Sequence, residues 1–440
     1  MEAQPGNTDA ATRRSPSALA IDAYKASLGM TKEKDFFECD RQYMCRNYAP
    51  VPVAISKGQG ASVWDVENKK YYDFLSGVSS LSQGHCHPRI IRALQQQAER
   101  LTLTLRSFEN DVTGPACRFI AELFGYERVL LMNTGAEAGE SAVKIARKWA
   151  YEVKGVPQDT AKIVVCKDNY WGRTIAACSS STTFDCYNNF GPFVPGFVII
   201  DYNNLEALKE VLEDPTVAAF FVEPIQGEGG INVPSAGYLK HAHELCKAKN
   251  VLLIVDEVQT GLCRTGRMLA ADYDDVKPDL VLLGKSLSGG VLPVSAVMGN
   301  AAVMDVLTPG THGSTFGGNP LACAVAVEAL SVLKDEKLAE RAAKLGEQFR
   351  ERMKRELEGK LPWVKDIRGR GLLNAIEVDL DMVNPDDIIL RLKDNGVLSK
   401  PTRVKVIRFI PALTITEEEH EDAMKRIVES FVQVEANRGK

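Results

Sequence analysis

The sequence predicts an α/β protein in which a large, mainly parallel sheet layered with helices is joined to a smaller α+β domain. Three observations predict it. Seven short, almost continuous apolar runs punctuate the middle of the chain, at 129–132, 163–166, 197–200, 217–222, 251–255, 280–283 and 294–298. Such runs suit strands buried on both faces. Helical stretches such as 205–213 and 238–249 lie between several of them, which makes parallel pairing natural. In the last hundred residues this alternation gives way to charged helices and two isolated strands.

In chain order, residues 1–37 read as a loosely held arm, polar at first and then briefly helical. The segment VWDVENKKYYDF at 63–74 reads as a hairpin with ENKK at its turn. A helical period starts after Pro88 and runs through Ile91, Leu94 and Ala98. The sheet domain then occupies about 90–330, and the smaller domain 331–440. Within the latter, a charged helix at 334–358 leads into a strand at 372–378. The next helix starts at Pro385 and stops at Gly396, with proline as starter and glycine as stopper. A strand at 404–409 precedes a helix capped by Thr416, with Glu419 three residues on to form a capping box.

Composition excludes several classes of function. With 53 Lys and Arg against 58 Asp and Glu, the net charge of −5 argues against nucleic acid or an anionic membrane as the main partner. The longest uncharged run, 286–304, is broken by Gly289, Gly290, Pro293 and Gly299, so it is no membrane span. Ten cysteines are scattered from Cys39 to Cys323 with no Cys-x-x-Cys pair, which fits free thiols in a reducing compartment. His85-Cys86-His87 lacks the spacing of a zinc site, and no metal is expected. The polar start, MEAQPGNTDA, lacks a secretory core. A cytoplasmic location follows, with an organelle address around Arg13 and Arg14 as the alternative.

Some familiar motifs fail. Gly284-Lys285-Ser286 resembles the end of a P-loop, but Asp279 stands where the earlier glycine is required. No dinucleotide-binding fingerprint and no serine-hydrolase elbow is present. Two strand ends carry more weight. The run VLLIV leads directly into Asp256, and LVLLG into Lys285. Ligands of open α/β sheets bind at the carboxyl ends of the strands. A desolvated lysine there can form a Schiff base with a carbonyl compound, and a buried carboxylate needs a cation such as a pyridinium nitrogen. A purely structural Asp–Lys pair is the alternative at this point. The stretch Asn133-Thr134-Gly135-Ala136 then opens a helix after an apolar run, which makes an anion site, and the glycine-rich loop HGSTFGGNP at 312–320 offers hydroxyls to the same anion.

These pieces, together with NYAPVPVAISKGQG, QGHCHP, YWGRT, VEPIQGEGG and VDEVQTGLCRTG, are those of a family. From about Asn47 onward the chain resembles the class III aminotransferases of the type I pyridoxal-phosphate fold, especially the members that act on ornithine. The resemblance implies that 38–89 forms an N-terminal segment of the small domain. It implies pyridoxal 5'-phosphate as cofactor, bound covalently by Lys285, which also shuttles the proton. Asp256 is expected to hold the pyridine nitrogen protonated and Gln259 to bond the ring's phenolic oxygen. Tyr170 and Val258 are expected on the two ring faces. Gly135 and Ala136 are expected at the phosphate, completed by Thr315 and Ser314 from the second subunit of a homodimer.

For substrate, the resemblance implies Arg173 at the distal carboxylate and Arg408 at the α-carboxylate of glutamate or 2-oxoglutarate. Glu228 is expected to neutralise Arg408 and to swing away as a gate, and Tyr48 to lie near the substrate carboxylate. The implied reaction passes the δ-amino group of ornithine to 2-oxoglutarate; acetylornithine and 4-aminobutyrate are the alternative donors. One residue departs from the pattern. Val78 stands where ornithine-specific members carry a tyrosine, which implies a pocket tolerant of N-acetylornithine.

Overall fold

The computed structural model describes residues 19–438; the expectations placed on 1–18, including Arg13 and Arg14, lie outside the described residues. Two compact units are present. The first comprises the chain up to Lys57 together with Trp64–Lys70. Its helices, Ala20–Ser27 and Glu33–Tyr43, bury no side chain. Glu33 accepts the N–H of Ala54 at 2.9 Å, and the Lys57 ammonium lies 4.9 Å above the Trp64 ring. Strands β1 (Ile55–Gln59), β2 (Ser62–Asp65) and β3 (Lys70–Asp73) follow. The expected turn lies between β2 and β3, closed by the N–H of Asp65 on the Lys69 carbonyl oxygen at 3.1 Å.

The second unit, Gly58–Val63 with Tyr71–Lys440, holds the large sheet. Its strands are β4 (Arg128–Met132), β5 (Lys162–Cys166), β6 (Phe197–Ile200), β7 (Val217–Val222), β8 (Leu252–Asp256), β9 (Leu280–Leu283) and β10 (Ser295–Gly299). They lie in the order β4-β10-β9-β8-β7-β5-β6. β7, β8 and β9 are buried along their whole length, which is why they read as unbroken apolar runs. Pairing is parallel from β9 to β6, but β10 runs antiparallel to both neighbours. The cause is the short link after β9. It holds only the single turn Lys285–Ser288, and a parallel return needs a crossover of about a dozen or more residues.

The helix Gly135–Trp149 packs on one face of the sheet through Ala138, Ala142, Ile145 and Ala146, whose mostly small side chains let it lie close to β7–β10. The opposite face is covered by Tyr238–Ala248.

Beyond the sheet, Pro320–Asp335 and Leu338–Leu357 are two helices, where one long charged helix was expected from 334. A four-stranded antiparallel sheet follows, in the order β11 (Val364–Arg370), β12 (Leu373–Val378), β15 (Val406–Phe409), β14 (Pro401–Thr402). Its core is aromatic: Phe409 packs on Phe349 at 5.2 Å between ring centres, and Phe431 stacks on Trp363 at 5.4 Å. The strand expected from 404 begins at Val406 because Arg403 and Val404 adopt positive φ, 48° and 62°, and form the turn instead. The Thr416 cap is as expected, with the N–H of Glu419 on Oγ1 at 3.1 Å. β13 (Val397–Leu398) pairs in parallel with β3, Val397 against Tyr72 and Leu398 against Asp73.

Candidate active site

Three strands of the large sheet end in charge on one cavity of about 280 Å³: β8 in Asp256, β9 in Lys285 two residues on, and β7 in Glu223. Gly135, Ala136, Tyr170, Trp171, Gly172, Arg173, Glu228, Val258 and Gln259 complete its wall.

Asp256 is buried, and Oδ1 accepts the N–H of Val258 at 2.9 Å, which fixes the carboxylate and leaves Oδ2 for a ligand. Burial pushes its pKa up to about 6, against the Val258 bond and the Lys285 charge. A cation delivered to Oδ2 would restore the anion. Lys285 itself sits at φ 44°, a strained backbone for any residue with a Cβ. Burial holds its amine below the usual lysine range, against the attraction of Glu228, Asp256 and Glu223, and a less protonated amine is a better nucleophile.

Thr134 caps the helix by accepting the N–H of Glu137 at 3.2 Å, and Glu137 takes the N–H of Thr134 at 2.7 Å. The N–H groups of Gly135 and Ala136, both in the cavity wall, have no carbonyl four residues back to meet and remain for a ligand. Ser314 accepts a 2.9 Å bond from Asn133 of its own chain. Thr315 is exposed.

At the far end, Glu228 Oε1 lies 2.5 Å from Nη1 of Arg408, whose side chain is almost wholly buried. Burial opposes ionisation of Glu228, but Arg408 and then Lys285 outweigh it and hold the carboxyl below its ordinary range. The Glu228 carboxylate therefore covers the guanidinium. Arg173 lies 5.7 Å over the Tyr170 ring and has no ion pair among the described residues, so the surface pair that would explain it structurally is missing. Val78 does not line this cavity, although Ser80, two residues on, lines an adjoining one that shares Lys285 and Gly135. Val78 sits at φ 54°, costly for a β-branched side chain. Tyr48 belongs to the first unit and is exposed.

Glu223 was missed by sequence reasoning. Its two oxygens accept the N–H of Tyr170 at 2.9 Å and of Gly227 at 3.0 Å. Burial and the neighbouring Asp256 push its pKa up to about 8 despite those bonds. The signal was available: VAAFFV runs into Glu223 just as VLLIV runs into Asp256.

The donor set fits pyridoxal phosphate. A buried acid with one free oxygen suits a ring nitrogen, an amine held below the usual lysine range suits an aldehyde, and free helix N–H groups suit a phosphate. The Gln259 side chain lines the same cavity and donates from Nε2 to Glu228 Oε1 at 3.3 Å, so its amide lies within reach of a polar ligand there. Among the described residues no cluster of His, Cys, Asp or Glu could hold a metal ion, and no helix is long and apolar enough to cross a membrane.

Comparison with known proteins agrees. An ornithine aminotransferase from Toxoplasma gondii, described with PLP at its active site, is 72% identical, with a TM-score of 0.96 over 97% of this chain and 100% of that one. The mitochondrial ornithine aminotransferase of Drosophila ananassae is 53% identical over 86% of this chain and 87% of its own. An acetylornithine aminotransferase from Elizabethkingia anophelis is 48% identical, with a TM-score of 0.84 over 92% of this chain and 100% of that one. The family described as Aminotransferase class-III matches residues 43–431, and the chain belongs to it.

Proposed function

We propose that this chain transfers the δ-amino group of ornithine to 2-oxoglutarate, giving glutamate 5-semialdehyde and glutamate, the reaction of EC 2.6.1.13. The observation that carries the proposal is the 2.5 Å pair between Glu228 and Arg408 beside Lys285. A donor presenting a terminal amine puts no anion near Arg408, and an unpaired buried guanidinium would be costly. Glu228 neutralises it in that half-reaction and leaves it to the α-carboxylate in the other. Arg173 then holds the carboxylate at the far end of either substrate.

Class-III aminotransferases use pyridoxal phosphate, which when bound supplies an aldehyde that exchanges with amines and a ring that takes up the electron pair of a breaking C–H bond. The residues divide the remaining work. Gly135 and Ala136 bind the phosphate, with Thr315 and Ser314 of a second copy expected to close it. With that group bound, Asp256 would keep the ring nitrogen protonated, Gln259 would orient the phenolic oxygen, and Tyr170 and Val258 would lie against the ring. Nζ of Lys285 would take the proton from the reacting carbon of the donor and hold it for return within the same half-reaction.

A panel of amino donors against 2-oxoglutarate tests the reading. Ornithine should give the highest kcat/KM; an enzyme inactive on it would sink the proposal. The likeness to an acetylornithine aminotransferase favours a second activity, on N-acetylornithine and to a lesser extent 4-aminobutyrate; Val78 lies outside the cavity wall and would bear on it from the side of the adjoining pocket that Ser80 lines. An apolar wall discriminates by only about 10–200-fold per methylene, whereas a hydroxyl built to bond the α-amino group rejects analogues more strongly. Val78→Tyr should therefore depress N-acetylornithine turnover more than ornithine turnover. Equal kcat/KM ratios in both proteins would show that Val78 merely packs.

Glu228→Ala should leave Arg408 open to α-carboxylates. The ornithine-to-glutamate ratio of half-reaction rates should fall by about tenfold or more, the scale of a lost buried charge pair. Stopped-flow measurement of each half-reaction reads it, and an unchanged ratio removes the gate.

Homodimerisation is part of the proposal: Thr315 and Phe316 are exposed at the tip of the loop whose hydroxyls should close a neighbouring phosphate site. We also place the small domain in two pieces, 38–89 and 331–440, around a large domain of 90–330; the pairing of β13 with β3 supports this. Residues 1–37 remain the arm. The cytoplasm is the proposed location. Import through the arm is the alternative, since the Drosophila relative is named as mitochondrial.

A further inference from the structure

One hairpin holds the backbones around both partners of the Glu228–Arg408 pair. β14 pairs with β15 through Thr402 and Val406, and β15 carries Arg408. The Thr402 hydroxyl donates to the carbonyl oxygen of Glu228 at 2.7 Å. The Ser399 hydroxyl donates to the carbonyl oxygen of Arg408. Arg403, at the turn, meets the carboxylate of Asp168 at 3.2 Å, two residues before Tyr170. Ser399 and Thr402 are both buried, and neither lines the cavity.

The loop gripped in this way has little freedom. A side chain on Gly227 would overlap the amide oxygen of Gln259, and one on Gly229 would come within 2.9 Å of the Asp168 carbonyl oxygen. Arg368 holds the carbonyl oxygens of Gly230 at 2.7 Å and Ile231 at 3.1 Å. With the backbone packed on both sides, opening of the ion pair falls to rotation of the Glu228 side chain alone. Such a gate closes reproducibly only if both backbones that carry it are fixed relative to each other.

We propose that Thr402, assisted by Ser399, is a positioning residue for the gate, fixing Glu228 against Arg408 and so setting the preference between terminal-amine and α-amino donors. The inference rests on the ornithine reading above. Without the Thr402 hydroxyl, the Glu228 carbonyl loses its buried donor, the backbone shifts, and the carboxylate covers Arg408 less completely. Arg408 is then more available to an α-carboxylate.

Holoenzyme of the parent, Thr402→Val, Thr402→Ser, Glu228→Gln and the Thr402→Val/Glu228→Gln double variant should be compared in stopped-flow half-reactions with ornithine and with glutamate. The ornithine-to-glutamate ratio of kcat/KM should fall about three- to tenfold in Thr402→Val, the scale of one buried hydrogen bond. Thr402→Ser should stay within about twofold of the parent, because it keeps the donor. In the Glu228→Gln background the Thr402 effect on the ratio should vanish. An equal loss in both half-reactions, an unchanged ratio, or a ratio effect that survives Glu228→Gln overturns the assignment. If Thr402→Val does not fold, Ser399→Ala takes its place: a fallen ratio supports the assignment and an unchanged one overturns it. A parent without any ornithine half-reaction overturns the substrate reading and this inference together; a parent with one and an insensitive Thr402 overturns this inference alone.

Discussion

Lys285→Ala should lower steady turnover by about 10⁴-fold or more, since it removes both the nucleophile and the general base from one position. The folded state should survive. The amine is poorly solvated, so its removal relieves a desolvation cost while the backbone turn at 284–289 stays in place. Cofactor should still bind through Gly135 and Ala136, more weakly and exchangeably. Borohydride reduction of the native protein should fix the cofactor to Lys285, and peptide mapping reads the label. A label on any other lysine, or turnover within about tenfold of native, would refute the assignment.

Asp256→Asn should cost about 10²–10³-fold in kcat, the usual scale for removing one preorganised electrostatic group from a water-excluded site. The substitution preserves shape and, at Oδ1, the acceptor for Val258. What it removes is the anion that keeps a ring nitrogen protonated. The loss should therefore fall on C–H cleavage, read as slowed half-reactions with little change in KM. A loss confined to cofactor affinity, cured by excess cofactor, would reduce Asp256 to a binding residue.

The large sheet was legible to within a residue or two at most strands because strands buried on both faces leave a continuous apolar signature. The direction of β10 was not, since it depends on the length of the link after β9 and not on the composition of β10. β11 escaped notice for a different reason. Its sequence, VKDIRGR, lies at a sheet edge and buries too little to show a pattern. In the site, the strand-end rule singled out Asp256 and Lys285, and the same rule applied evenly would have found Glu223. The roles of Gln259, Arg173, Glu228 and Arg408 came from resemblance, because a polar residue in a loop carries no periodic signal. Thr402 was out of reach altogether: its partner lies 174 residues away, and a hydroxyl on a carbonyl leaves no trace in sequence.

The antiparallel strand β10 also dictates when the site can exist. β4, which delivers the phosphate-binding turn at Thr134–Gly135, is an edge strand whose neighbour in the sheet is β10, roughly 160 residues later in the chain. On a ribosome, β4 emerges early and must wait, exposed as an unpaired edge, until Ser295–Gly299 has been synthesised. Until then the helix Gly135–Trp149 can rest on β7, β8 and β9, but the strand that leads into it has no partner. A nascent chain shorter than about 300 residues can pair β5 to β9, yet leaves β4 outside the sheet. Closure of the sheet at its β4 edge is thereby tied to near-completion of the large domain, and the pairing of β10 with β4 is its last step.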